Sequence, residues 1–204
     1  MNISIIGGDL RIVRLAEMYA TEEYNVYTYG VEKYFDNGKG YNKKIEEAEY
    51  NNIFLCNSIE ETIKNSNYIV SGMPFTKDNI TVNAPFANKE IKLEELKNML
   101  FKENSNKKFF AGGIPKNYYI EKETKKLENI DLVDLLEIEE LTILNTIPTV
   151  EGTIKIAIEE REETIHESNV LICGFGRIGK ILCDRFSKLG ANVYCVARKE
   201  SDLA

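Results

Sequence analysis

Apolar and polar positions alternate along this chain with two periods, and the switches between them mark its elements. Ile3–Ile6 is a strand-sized apolar run ending in Gly7-Gly8-Asp9, and behind it Leu10, Val13, Leu15, Ala16 and Met18 recur near the helical period. Tyr24–Tyr29 alternates as a second strand and stops at Gly30, whereas residues 31–52 are polar and weakly patterned. Phe54–Cys56 is a short strand candidate. Ser58 with Glu61 three residues later is a capping box that starts a helix through Ile63. Tyr68–Ser71 is a buried strand ending in Gly72-Met73-Pro74, and residues 75–90 form a loop carrying Pro85. Leu93, Leu96 and Leu100 predict a helix over Leu93–Phe101. Lys108–Ala111 is a strand that breaks at Gly112-Gly113-Ile114-Pro115, Tyr118–Leu127 a helix, and Asp131–Leu135 a further strand or turn.

Strands alternating with helices predict an α/β fold, with a parallel-sheet, flavodoxin- or Rossmann-like N-terminal domain over residues 1–144. Three of its strands end in Gly- or Pro-containing turns, near Gly7, Gly72 and Gly112, at the carboxyl edge where open α/β sheets bind ligands. Glycines also serve simply to turn a chain, but three turns on one edge point to a site. Residues 145–167 read as a hinge and interdomain helix. Pro148 holds Ile147 extended, Thr149 caps, and a helix over Val150–Glu163 carries Ile154, Ala157 and Ile158 on one face and glutamates on the other. Residues 168–204 then open a second, truncated Rossmann βαβ unit: a strand at Val170–Cys173, a helix through Lys188 closing at Gly190, and a strand at Asn192–Ala197.

Composition narrows the partners. With 26 basic and 33 acidic residues the net charge is −7, and no Lys/Arg cluster supplies the footprint of a nucleic-acid or anionic-membrane binder. The longest apolar runs are strand-sized, so no membrane span is expected, and the first residues lack the cationic start of a signal peptide. Cys56, Cys173, Cys183 and Cys195 form no C-x-x-C pair, and His166 is the only histidine. A zinc set is therefore not expected, and the cysteines read as buried structural thiols in a reducing cytoplasm.

The motif that carries chemistry is Gly174-Phe175-Gly176-Arg177-Ile178-Gly179. It follows an apolar strand directly and opens an amphipathic helix, the context that makes G-x-G-x-x-G a dinucleotide fingerprint. Gly174 permits the tight turn, Gly176 lets the backbone approach a pyrophosphate, and Gly179 lets helix and strand pack closely. Arg177 and Ile178 bring the first N–H groups of the helix, whose dipole favours phosphate. An NAD site places an acid at the end of the second strand; here the chain reads Val196-Ala197-Arg198-Lys199-Glu200-Ser201. Arg198, with Lys199 and Ser201 beside it, suits a 2′-phosphate and favours NADP over NAD, although a basic pair on a turn is also an ordinary solvated feature. One βαβ unit is half of a dinucleotide site, so these residues are expected to be part of a longer enzyme whose missing half completes it.

Ile6-Gly7-Gly8-Asp9 with Arg11, the run Asn145–Ile154 with its Pro-Thr-x-Glu-Gly junction, and His166 ahead of Val170–Gly179 together resemble the A subunits of dipicolinate synthase. The resemblance implies an NADP-linked oxidoreductase component. It would turn a dihydrodipicolinate-type precursor into dipicolinate in the mother cell of a sporulating bacterium. The partner it implies is a flavoprotein-like B subunit, with a homo-oligomer as a further candidate assembly. A dicarboxylate substrate needs cations or N–H donors. Arg11 is the first candidate clamp, Lys116 a weaker one, and Thr149 and Glu151 at the hinge are candidates to orient substrate or move a proton. Each also has a structural alternative: a solvated helix residue for Arg11, capping and dipole complementation for Thr149 and Glu151. Two other readings stay open, an alanine- or 2-hydroxyacid-dehydrogenase-like enzyme and a non-catalytic nucleotide-binding assembly protein.

Overall fold

The computed structural model describes residues 1–36, 51–103, 105–123 and 128–198. The chain divides into two compact units, Met1–Leu136 and Glu137–Ala204. The first is a six-stranded, all-parallel sheet of β1 (Asn2–Ile6), β2 (Asn25–Tyr29), β3 (Ile53–Leu55), β4 (Tyr68–Ser71), β5 (Lys107–Ala111) and β6 (Ile130–Asp134). The strand order is β3-β2-β1-β4-β5-β6. Between the flavodoxin-like and Rossmann-like architectures, this order is the Rossmann one, with the switch point between β1 and β4.

The helices of this unit are α1 (Leu10–Thr21), α2 (Glu32–Asp36), α3 (Ile59–Lys64), α4 (Leu93–Phe101) and α5 (Lys116–Glu123). Both faces of the sheet are covered, as the near-continuous apolar strands require. Ile3, Ile5, Val26 and Val70 pack with Ile12, Val13, Ala16 and Ala20 of α1. Ile6, Ile69 and Phe109 pack with Ile63 of α3, Leu96 and Leu100 of α4 and Tyr118 of α5. The Ser58 cap of α3 accepts from Glu61 N at 3.1 Å, as the capping box predicts. The Glu61 carboxylate, however, accepts from Asn57 N at 2.8 Å, one residue ahead of the expected partner. The short helix α2 lies in the stretch read as weakly patterned; most of that stretch, like the expected helix end at Leu127, falls outside the described residues.

The second unit holds α6 (Glu139–Glu159), the parallel pair β7 (Asn169–Cys173) and β8 (Asn192–Val196), and α7 (Arg177–Lys188). Ile172 and Phe186 form its small core with Ile165, joined by Ile154 and Ala157 from α6. The opposite face of the strand pair leaves Leu171, Cys173, Tyr194 and Val196 exposed, so the expectation of buried cysteines holds for Cys56 but not for Cys173, nor fully for the partly exposed Cys183 and Cys195. A second expectation is corrected here. The hinge helix does not start at Val150 behind an extended Ile147; α6 begins at Glu139 and carries Pro148 in its interior. An interior proline removes one helical hydrogen bond at a cost of about 3 kcal/mol. The buried residues Thr142, Thr146 and Val150 recur every fourth position across the proline, so a continuous packed stripe offsets that loss. The unit boundary accordingly falls after Leu136, ahead of position 144. Among the described residues no helix is long and apolar enough to cross a membrane.

Candidate functional site

Each unit contains the same local device, a parallel strand turning through glycine into a helix, but the two turns are finished differently. In the first unit the turn after β1 is closed by the chain itself. Gly7 N donates to Tyr29 O at 2.8 Å and Gly8 N to Asn83 O at 2.8 Å. Asn83 in turn donates through Nδ2 to Pro74 O at 3.2 Å, and Phe75 N donates to Gly112 O at 2.7 Å. Gly112 N reaches Gly72 O at 3.0 Å. The three turns expected on one edge therefore do meet there, and residues 72–83 are laid across them. The Gly8 N–H, which lies inside the turn, is thereby taken by Asn83.

The start of α1 is occupied too. Asp9 is its N-cap, accepting from Arg11 N at 3.0 Å. The Arg11 guanidinium folds back onto the same carboxylate, Nε to Oδ1 at 3.1 Å and Nη2 to Oδ2 at 2.8 Å, and Nη2 also donates to Met73 O. The Arg11 hydrogen bond holds the Asp9 carboxyl below the usual carboxylate range, and Asp9 raises the guanidinium in return. Arg11, the candidate clamp, is thus engaged in a partly exposed ion pair that braces the turn after β4. Lys116 stands exposed at the first position of α5.

The turn after β7 shares the first of these bonds, Gly174 N donating to Val196 O at 2.7 Å as Gly7 N does to Tyr29 O, and differs beyond it. Gly174 has φ of 116°, in the region that favours glycine, and a Cβ on Gly179 would lie 2.0 Å from Gly174 O, so the helix can approach the strand only without one. Gly176, by contrast, has no atom within 4 Å of its Cβ position. It is the N-cap of α7, and among the described residues no side chain caps the helix there. The first N–H groups of α7 lack intrahelical partners by the geometry of any helix start, and the dipole adds positive potential in front of them.

A depression of about 770 Å³ opens at this point, lined among others by Gly174, Phe175, Gly176, Arg177, Lys180 and Arg198. Two of the expected cofactor side chains, Arg177 and Arg198, thus share its wall with the glycine loop, and Ile178, 42% exposed, follows Arg177 on α7. Lys199 and Ser201 lie outside the described residues. Arg177 is bound in a fork to Glu139 at the start of α6, through Nε to Oε1 at 3.0 Å and through Nη2 to Oε2. This bond holds the Glu139 carboxyl below its ordinary range and raises the guanidinium. Lys180 Nζ stands 5.5 Å from the centroid of the Phe175 ring.

Thr149 and Glu151 are not among the residues lining this depression. Both are exposed on α6, and the Thr149 hydroxyl donates back to Asn145 O at 3.5 Å, a bond within its own helix. The cap expected of Thr149 is absent because the helix starts ten residues earlier, at Glu139. Glu139 itself carried no signal in the sequence, since its partner Arg177 lies 38 residues on with nothing periodic between them. Among the described residues no cluster of His, Cys, Asp and Glu could hold a metal ion.

Known proteins share this fold. The family whose description is the N-terminal domain of the dipicolinate synthase A subunit matches residues 2–136. The A subunit of dipicolinate synthase from Bacillus subtilis (strain 168) is 30% identical over 204 residues, all of this chain and 63% of that protein. The crystal structure of the Bacillus subtilis protein covers 100% of this chain at 29% identity and a TM-score of 0.69. That of its counterpart from Bacillus halodurans covers 98% at 27% identity, with a TM-score of 0.73. In both, the match spans 62% of the solved chain. The chain therefore spans somewhat under two thirds of the length of these relatives.

Proposed function

The chain belongs to the family of dipicolinate synthase A subunits, and from that premise we propose that its second unit binds NADP, in preference to NAD, for oxidation of a dihydrodipicolinate-type precursor to dipicolinate. The observation that carries the reading is the uncapped start of α7 behind Gly174-Phe175-Gly176, opening on a depression with Arg198 on its wall. The residues fit the group on two counts: Gly176 leaves free the space a pyrophosphate would take, and the N–H groups of the first turn are not claimed by a side-chain cap. The nicotinamide supplies hydride acceptance when bound; this chain's residues hold and orient the phosphates. Arg198, on the wall of the depression at the end of β8, is the residue proposed to recognise a 2′-phosphate, with Lys199 and Ser201 following it in sequence.

The remaining parts of the reading concern the whole protein. The substrate is a small dicarboxylate, for which Arg11 is the candidate partner and Thr149 and Glu151 are candidate orienting or proton-moving groups. The complex includes the B subunit, flavoprotein-like, and the setting is the cytoplasm of a sporulating mother cell. The test is calorimetric titration of the full-length protein and its Arg198→Ala variant with NADP and NAD. A charged contact worth roughly 1.5–3 kcal/mol gives about a 10- to 200-fold preference for NADP that the variant loses. Equal affinity for the two nucleotides in the parent, or an unchanged preference in the variant, removes Arg198 from the site.

A further inference from the structure

The depression at α7 contains an arginine that is not free. Arg177 lines it, yet the guanidinium edge best shaped to grip a phosphate bidentately, Nε with Nη2, is filled by the two oxygens of Glu139. Both partners are more than half exposed, with side-chain accessibilities of 52% and 62%, so nothing buries the pair or fixes it against exchange. The other cation at the loop, Lys180, rests near the Phe175 ring. We infer that Glu139 is a built-in competitor for the nucleotide: its carboxylate occupies the anion-binding edge of Arg177 in the ligand-free protein and exchanges with the pyrophosphate on binding. This rests on the nucleotide reading above and adds to it a residue that sets the affinity of the site from another helix.

The first unit shows why competition, rather than permanent bracing, follows from the geometry. There the carboxylate paired with the arginine after the turn is also the helix cap: Asp9 accepts from Arg11 N as well as from its guanidinium. The carboxylate and the helix start are satisfied together, which leaves no place for another anion. In the second unit the two functions are separated. Glu139 satisfies the guanidinium but does not cap α7, whose N-cap is Gly176. An anion arriving at α7 gains the uncapped N–H groups and Arg177 at once, whereas Glu139 gains only Arg177. The arriving phosphate therefore prevails.

The experiment measures affinity, not turnover. NADP, NAD and inorganic pyrophosphate are titrated by calorimetry into the full-length protein and into Glu139→Gln, Glu139→Ala, Glu140→Gln, Arg177→Ala and the Glu139→Gln/Arg177→Ala double variant, with thermal unfolding checked for each. Exposed ion pairs are weak, so removing the competitor tightens binding by about two- to fivefold in both Glu139 variants. Glu140→Gln removes the same charge from the same turn and leaves affinity unchanged. Arg177→Ala weakens binding, and Glu139→Gln produces no gain in that background. Unchanged or weaker binding in the Glu139 variants overturns the competition while leaving the nucleotide site standing. A gain that persists without Arg177 overturns it as well. Absence of binding by the parent to all three probes removes the nucleotide reading and this inference with it.

Discussion

Two alanine substitutions in one loop are expected to separate folding from binding. At Gly179 a Cβ would lie 2.0 Å from Gly174 O, where ordinary contact begins at 3.4 Å, so α7 would have to retreat from β7 by about 1.4 Å. The obstacle is backbone on both sides and cannot rotate away. Overpacking of this kind costs up to about 3 kcal/mol. For a unit of this size, in which each kcal/mol moves the midpoint by roughly 4–8 °C, that lowers Tm by about 12–24 °C. At Gly176 the Cβ meets nothing, and φ of −78° suits any residue. Gly176→Ala should cost under about 1 kcal/mol of stability, the range for replacing a glycine N-cap. On the proposed nucleotide reading, however, its methyl group would stand in the path of the pyrophosphate, and the loss should be at least about tenfold in Kd, or 1.4 kcal/mol. Scanning calorimetry reads the first quantity and nucleotide titration the second. If Gly176→Ala binds NADP within twofold of the parent, or Gly179→Ala melts with it, the assignment of roles to the two glycines is wrong.

Two further outcomes follow from the first unit. Arg11→Ala removes a partly exposed pair with Asp9 and should change unfolding stability by no more than about 1 kcal/mol; if Arg11 also holds a substrate carboxylate in the full-length complex, KM rises about 10- to 200-fold, and unchanged KM leaves it a brace of the turn after β4. Asp78 accepts from Ile80 N, Thr81 N and the Thr81 hydroxyl, each at 2.8 Å, and these bonds, the Thr81 backbone N–H first, hold its carboxyl far below the usual range. A depressed folded-state pKa contributes stability above the unfolded value, about 3.9, and loses it as pH falls. The stability gap between the parent and Asp78→Asn should thus be full at neutral pH and narrow below about pH 4 in acid unfolding curves; a gap independent of pH would refute it.

The fold was readable in the chain wherever one physical signal dominated. Tyr68–Ser71 and Leu93–Phe101 appear over the residues their patterns mark, because an apolar run between turn residues and a Leu repeat at helical spacing leave no competing arrangement. Gly179 and Gly174 could be read because each role is backbone geometry local to the motif. The start of α6 could not. Pro148 is a strong local stop signal, and it was overridden by burial of Thr142, Thr146 and Val150, a stripe whose value depends on what it packs against rather than on the residues themselves. The closing of the first glycine turn was hidden for a similar reason. Nothing in Asn83 announces that its carbonyl will take the Gly8 N–H, 75 residues away in sequence.

The two glycine turns give the units different work within one chain. A Rossmann strand order places a crevice at the switch point between β1 and β4 whatever the sequence, so topology alone would give the first unit a nucleotide site. Chemistry removes it. Asp9 puts a negative charge at the helix start that phosphate would need, and the Asn83 carbonyl takes the Gly8 N–H. A nucleotide entering there would have to displace Asn83 from Gly8 N and Asp9 from Arg11 N and meet like charge, whereas among the described residues no side chain caps α7. On the exchange inferred above, what a phosphate displaces at α7 is Glu139 on Arg177, a solvent-exposed bond of the kind that water and salt already weaken. The same local strand–turn–helix device thus appears once with its helix start capped by its own carboxylate and once without, and the difference lies in whether the carboxylate belongs to the turn itself or reaches its arginine from another helix.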